Sequence, residues 1–362
     1  MIPYFLLLLI PMLLNLFGNK YRLTLNRRVL IETQSACISS FMILFLCLLA
    51  FRGTQCGIDT KQYLRLYLRY SSLSFQEIFI NYDHELGFKL LNKIVGLTLG
   101  HYQYVLVITA GMCVIPLWYF YKRESEDQLL TIVLFLTVAP FVMYFSGIRQ
   151  AIAMSLGIPA WYAARSRKPI RFSLIILLAM QFHTSAFVLV ALYFLHTARI
   201  TTKWLWFVVP CIIAVFVFRN TIFGLLITLL WKDYQNTPET GATTVLLLLI
   251  LFGVYAYLIP DEHKLDRDTI GLRNILLLTI VIQIFAMLHP LSMRMNYYYL
   301  IFIPVLIPKL ANRSKKRFAQ VAKLSKMVLI VYFAYYFISL IIKDDDPLSI
   351  YPYIPFWVND LI

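Results

Sequence analysis

Twelve apolar runs follow one another from residue 1 to residue 342, broken by polar stretches that are short except for 51–102. A membrane-spanning helix needs roughly 17–25 such residues, and shorter ones serve when packed inside a bundle. The runs fall at 1–17, 30–50, 103–121, 129–145, 148–164, 170–182, 184–198, 203–218, 243–259, 270–288, 296–310 and 326–342. With 60% hydrophobic and only 14% charged residues, the chain has too little polar surface for a soluble domain. The expected fold is an all-α polytopic integral membrane protein of about ten to twelve transmembrane helices. It is read as a single transmembrane domain over 1–362, with no soluble domain, low-complexity linker or internal repeat. The first run carries neither a basic leader nor a small-residue cleavage site, so it reads as a retained helix with its N-terminus outside.

The net charge of +15 does not point to nucleic acid, because no basic stripe with interleaved aromatics stands apart from the apolar runs. The basic residues sit in short clusters that instead set orientation, since lysine and arginine concentrate in cytoplasmic loops. Lys20, Arg22, Arg27 and Arg28 share one loop; Lys122 and Arg123 another; Arg165, Arg167, Lys168 and Arg171 a third; Lys309 to Lys326 the most basic. The stretches 51–102, 219–242 and 289–295 then face outward, as does the tail 343–362 with Asp344, Asp345 and Asp346. Parity requires one hairpin. It is placed at 170–198, which is basic at both ends and about 42 Å long as one helix. The alternative is a single pass there and a hairpin at 203–231 with Arg219 and Asn220 at its tip.

In this topology the unusual polar residues gather on the outer face. The segment Phe-Ser-Gly-Ile-Arg-Gln-Ala-Ile-Ala over 145–153 strands Arg149 and Gln150 at the joint of two apolar stretches. A charge inside a span costs at least about 2.5–3.5 kcal/mol on insertion scales, which marks such an arginine as functional; the structural alternative is a snorkelling or helix-capping side chain. The first outer segment adds Arg52, Asp59, Tyr63, Tyr67 and Asp83-His84-Glu85. His183 lies at the turn of the proposed hairpin, and Arg294 and Tyr297 to Tyr299 follow His289-Pro290. Converging arginines bind phosphate oxygens bidentately at any working pH and stabilise a departing diphosphate. What remains is to deprotonate an attacking hydroxyl, a task for a histidine or carboxylate. Arg149 and Arg294, with Arg52 third, are the diphosphate candidates; His183 is the candidate base, with Glu85 and Asp59 as rivals.

Each of these residues has a structural reading too. His183 can be a hydrogen-bonded turn residue, and Asp59 an N-cap for the 60–70 segment. Tyr63, Leu66, Tyr67 and Tyr70 at helical spacing, with Arg65 and Arg69 on another side, describe an amphipathic helix lying on the outer membrane surface. Its tyrosines then serve as interfacial anchors or as flat faces for sugar rings. Asp83-His84-Glu85 has the composition of a metal cluster, but neighbouring side chains point apart, so no metal is expected. Residues 88–99 are too short and polar for a span. Cys37, Cys47, Cys56, Cys113 and Cys211 have no paired spacing and read as packing residues.

Taken in order, Gly57-x-Asp59-x-x-x-Tyr63, Glu85-x-Gly-Phe88, Ser146-Gly-x-Arg149-Gln150-x-Ile-Ala, Phe182-His183-x-Ser185-Ala and Arg294-x-x-x-Tyr298 resemble the EpsG family of exopolysaccharide and capsule proteins. That family is related in role to Wzy-type O-antigen polymerases. The Ser-Gly-x-Arg-Gln and Phe-His-x-Ser-Ala pieces are the specific ones. Thr184 departs from the pattern, standing where an aromatic is common. The resemblance implies a multi-pass glycosyltransferase of the bacterial cytoplasmic membrane that joins undecaprenyl-diphosphate-linked repeat units on the outer, periplasmic face, without metal, nucleotide or other cofactor. It implies catalytic roles for His183, Arg149, Arg294 and Glu85, in an outward cavity covered by 51–102. Arg52, Asp59, Tyr63, Tyr67, Gln150 and Tyr298 would bind substrate. Implied partners are the lipid-linked oligosaccharide, membrane lipid, and flippase and chain-length regulator proteins. Two other classes compete: a lipid-linked sugar transporter or flippase, which would show related halves and broken midplane helices, and a membrane O-acyltransferase, which would need its polar residues reachable from the cytoplasm.

Overall fold

The computed structural model describes residues 1–18, 23–25, 28–31, 33–80, 83–230, 242–343 and 348–359. The chain is helical almost throughout, as the apolar runs require. One short antiparallel ribbon, β1 (Leu23–Leu25) with β2 (Arg28–Ile31), joins the first two helices. The fold divides into two compact units, one of Met1–Phe187 with Met327–Ile362 and one of Val188–Lys326.

The first unit is built on α1 (Ile2–Gly18), α2 (Thr33–Ala50), α6 (Tyr102–Glu124), α9 (Ile148–Arg165) and α10 (Pro169–Met180), each packed on the next in that order. Three shorter helices fill the stretch between α2 and α6: α3 (Thr60–Ser72), α4 (Phe75–Ile80) and α5 (Leu86–Thr98). The helix α3 has the expected amphipathic form, burying Tyr63, Leu66, Tyr67 and Tyr70 and exposing Lys61, Arg65 and Arg69. The helix α5 is not a span. Its Lys89 and Lys93 reach back to cap other helices, donating to the Ile78 carbonyl at 2.8 Å and the Ser71 carbonyl at 2.9 Å.

The expected span 129–145 is two elements, α7 (Gln128–Thr137) and α8 (Met143–Ser146). Pro140 lies between them; it has no amide hydrogen to donate, and it drives the preceding residue out of helical geometry. The helix α8 ends at Gly147, where α9 starts.

In the second unit α15 (Arg267–Ala286) is the hub. Around it lie α11 (Ala191–Thr197), α12 (Leu205–Val217), α13 (Arg219–Leu230), α14 (Thr243–Leu258), α16 (Pro290–Leu300) and α17 (Ile303–Asn312). The expected span 296–310 is divided at Ile301–Phe302, with Pro304 in the first turn of α17. The expected outer loop 219–242 opens as helix α13; the rest of it, 231–241, lies outside the described residues, as does Asp344 to Asp346. One end of this unit is tied by ion pairs and polar contacts, with Arg273 and His196 buried. Arg273 grips Glu262 at 2.6 and 3.2 Å and the Ile200 carbonyl at 2.8 Å. Arg313 meets Asp266 at 3.1 Å, and His196 meets Asp268 at 3.0 Å.

The chain returns to the first unit through α18 (Ala319–Lys343) and closes with α19 (Phe356–Asn359). Among the described residues, three helices are long and apolar enough to cross a membrane, Tyr102–Glu124, Arg267–Ala286 and Lys316–Lys343. A fourth span arises if Thr184–Thr197 and Thr202–Val217, bent by 117°, count as one. The expected ten to twelve therefore rests on the shorter apolar helices, of 10–17 residues.

Candidate active site

Within the stretch 170–198, α10 stops at Met180, and a 3-10 turn over Thr184–Val190 begins one residue after His183. Here the first unit brings three distant segments together around one carboxylate. Glu85, at the N-cap position of α5, receives the Arg149 Nη1 donor on Oε2 at 2.5 Å. Its other oxygen faces His183 Nδ1 at 3.2 Å and accepts from the Thr184 amide at 3.1 Å and the Thr184 hydroxyl at 3.4 Å. Thr184, which departs from the family pattern, thus contributes two of the bonds that hold Glu85.

Burial opposes charge on Glu85, but the His183 hydrogen bond, the Arg149 guanidinium and backbone amides outweigh it and hold the carboxyl at about 2 rather than 4.5. An ionised carboxylate can only accept. The Nδ1 facing it must then be the protonated nitrogen, and a singly protonated imidazole keeps its lone pair on Nε2. Arg149 lies over the Phe88 ring, 5.9 Å from its centroid, and Phe88 in turn meets the Tyr63 ring at 5.5 Å. The Tyr63 oxygen also lies within hydrogen-bonding reach of Arg149. Arg149 Nε is buried without a partner among the described residues. The side chains of Arg149 and His183 each keep 23% of their surface exposed and that of Glu85 11%, so the cluster can be reached from outside the protein.

Two glycines make the convergence possible. Gly57 has φ +96°, and a Cβ there would stand 2.4 Å from the Phe145 carbonyl oxygen. This close approach brings the loop after α2 onto the α8–α9 joint, where the Asp59 amide donates to Ser146 Oγ at 3.4 Å. Gly87 is equally constrained by space, with its absent Cβ 2.7 Å from the Gln181 carbonyl oxygen. That contact seats the start of α5 against the end of α10, which is what sets Glu85 beside His183.

The other sequence-derived residues are distributed differently. Asp59 occupies the N-cap position of α3 but caps no amide, so the capping role anticipated for it is not made. Arg52 is buried: its Nη1 donates to the Leu49 carbonyl at 2.6 Å, its guanidinium faces Phe145 at 5.9 Å, and its Nε has no partner among the described residues. Tyr67, against Tyr102 at 5.7 Å, and Gln150 are buried as well. Arg294 is exposed on α16 of the second unit, with Tyr298 buried one turn later. Asp83 and His84 turn away from Glu85 to a common partner, the Tyr70 hydroxyl, at 2.8 and 2.7 Å, and Arg69 meets Asp83 at 2.8 Å.

The sequence reading missed Thr184 and Ser146 as anchors of the site and Phe88 as the surface beneath Arg149. Phe88 and Ser146 were within quoted motifs, but only the fold shows what they touch. No curated protein and no solved structure matches the chain. The EpsG family model matches residues 36–354, which include every segment of this site, and the chain belongs to the EpsG family.

Proposed function

We propose that this membrane protein is a polysaccharide polymerase that joins undecaprenyl-diphosphate-linked oligosaccharide repeat units on the outer face of the cytoplasmic membrane. The observation that carries the reading is the Arg149–Glu85–His183 cluster, assembled from three segments that the family match spans. A hydroxyl at the non-reducing end of one lipid-linked unit attacks the anomeric carbon of the growing chain. The bond from that carbon to the diphosphate oxygen breaks, and the lipid diphosphate leaves. His183 Nε2 takes the hydroxyl proton, and Arg149 offsets the charge that gathers on the departing diphosphate. Glu85 keeps the imidazole turned with Nε2 outward. Tyr63, within hydrogen-bonding reach of Arg149, and Asp59, one helical turn before it, are the groups offered to sugar hydroxyls in this reading. No metal or cofactor takes part in this reading.

The outer placement is supported by the ends of the long helices. The helix α6, roughly 35 Å long at 1.5 Å per residue, carries Lys122 and Arg123 at the end away from the site, and α9 carries Arg165 there. Arg165 is held by Glu124 at 2.9 Å, so both helices finish in one basic cluster, next to Arg167 and Lys168. By the positive-inside rule that end is read as cytoplasmic and the Arg149 end as external.

The test is to delete the chain in its host and size the lipid-linked glycans, with complementation by wild type and by Arg149→Ala. Single repeat units should accumulate on deletion, and wild type but not correctly inserted Arg149→Ala should relieve this. Full-length polymer made by Arg149→Ala would overturn the reading, and polymer that persists on deletion but lacks a substituent would indicate acyl transfer instead.

A further inference from the structure

The second unit carries a groove of about 520 Å³ between α12 and α14, floored by α15. Val209 and Ile213 form one wall, Ile250 and Val254 the other, and Leu277 and Ile280 the floor. Gly253 contributes to the shape: a Cβ there would lie 3.0 Å from Ile280 Cδ1, so the bare backbone lets α14 settle on α15. The walls are carbon, and Val209, Ile213 and Val254 each keep about half their surface exposed. A fold in water would close such a slot; in a bilayer it is filled by a hydrocarbon chain.

Length and charge identify which chain. The groove runs from Thr202 and Leu258 at its mouth to Ile213 and Ile250, roughly 12–16 Å at 1.5 Å per residue. One leaflet contributes about half of a hydrocarbon core roughly 30 Å thick, so the slot matches one acyl chain of one leaflet. Its mouth is basic. Lys203 is exposed beside Thr202; Lys315 Nζ donates to the Leu258 carbonyl at 3.0 Å, and Lys264 Nζ to the Ser314 carbonyl at 3.2 Å. Glu262 also stands at the mouth, accepting from the Thr202 hydroxyl at 2.7 Å, but its charge is matched by Arg273, as that of Asp266 is by Arg313. Trp204 and Trp206 are exposed next to the mouth, the position that tryptophans take at a membrane interface.

We infer that this groove binds an anionic phospholipid of the leaflet beside the basic loops, its acyl chain between α12 and α14 and its phosphate on Lys203, Lys264 and Lys315. The site is separate from the Arg149 cluster and does not depend on the proposed polymerase activity. A polyprenyl chain is far longer than one leaflet and suits the slot poorly.

Full-length protein purified in detergent, offered dioleoylphosphatidylglycerol, dioleoylphosphatidylcholine or undecaprenyl phosphate, tests this by native mass spectrometry. One phosphatidylglycerol should be retained in preference to phosphatidylcholine. Each basic residue near the phosphate contributes about a fivefold preference, from about 1 kcal/mol per lysine at an anionic surface. Lys203→Glu should therefore reduce the preference at least that far, and Val254→Trp, which fills the slot from an exposed position, should abolish retention of both phospholipids. Lys203 is exposed, so this variant decides the matter even if the tryptophan variant fails to fold. Equal retention of the two phospholipids by wild type, a preference unchanged in Lys203→Glu, retention unchanged in a folded Val254→Trp, or displacement of phosphatidylglycerol by undecaprenyl phosphate would each overturn the inference.

Discussion

Glu85 holds an arginine with one oxygen and a histidine with the other, so removing its charge while keeping its shape should disturb both. Glu85→Gln is expected to lower polymer formation by up to about 10²–10⁴, the usual contribution of the general base that Glu85 orients, without loss of inserted protein; turnover of lipid-linked repeat units in isolated membranes measures this. The pH dependence separates Glu85 from the base. Folding lowers its carboxyl from 4.5 to about 2, so its contribution to stability is complete above about 4.5 and is lost as the pH falls towards 2. The difference in Tm between wild type and Glu85→Gln should thus shrink as the pH falls below about 4.5. A difference that persists unchanged down to about pH 3 would show that the carboxylate is not held as described. At this scale the sequence identified the three residues, but not their pairing. Glu85 lies 64 residues from Arg149 and 98 from His183, and no spacing rule reaches that far.

Among the elements, the long helices were legible because an apolar run in a bilayer has little choice but to coil. The short ones were not. The helix α5 reads as polar because of Lys89, Asn92 and Lys93, yet all three are buried, each bonded to a backbone carbonyl. Replacing Lys89 by Met should cost about 1–3 kcal/mol by leaving the Ile78 carbonyl unsatisfied, visible as a lower melting temperature. The break at Pro140 was overlooked because the run around it remains apolar on both sides. Gly57→Ala meets both a positive φ and the Phe145 carbonyl, and should destabilise by about 1–3 kcal/mol. Gly87→Ala should push α5 from Gln181 and cut activity more than stability, since the displaced residue is Glu85; comparison of activity per folded molecule with Tm distinguishes the two effects.

For the molecule as a whole, charge placement is what the proposed orientation rests on, and nothing in the apolar pattern announced a division at residues 187 and 327. Apolar runs record how a helix meets lipid and are silent on which helices meet each other. The orientation has a direct check. In a cysteine-free background, a cysteine at Thr98 should react with a membrane-impermeant maleimide added from outside, and one at Ser166 only after the membrane is opened; the reverse pattern would place the Arg149 cluster on the cytoplasmic side.

The last residues return to the first loop. Gly57 and Ile58 donate to the Ser349 and Leu348 carbonyls at 2.7 and 2.8 Å, Gly53 to Ile354 at 2.8 Å, and Phe356 to Phe51 at 3.0 Å. The loop that reaches Ser146 is thus fastened by a strand of chain about 290 residues later in synthesis. At about 5–20 residues per second, a ribosome leaves that loop unfastened for roughly 15–60 s. Every nascent chain therefore waits in the membrane with this side of its active site incomplete, and a ribosome that stops short of residue 348 releases an inserted protein whose loop is never fastened.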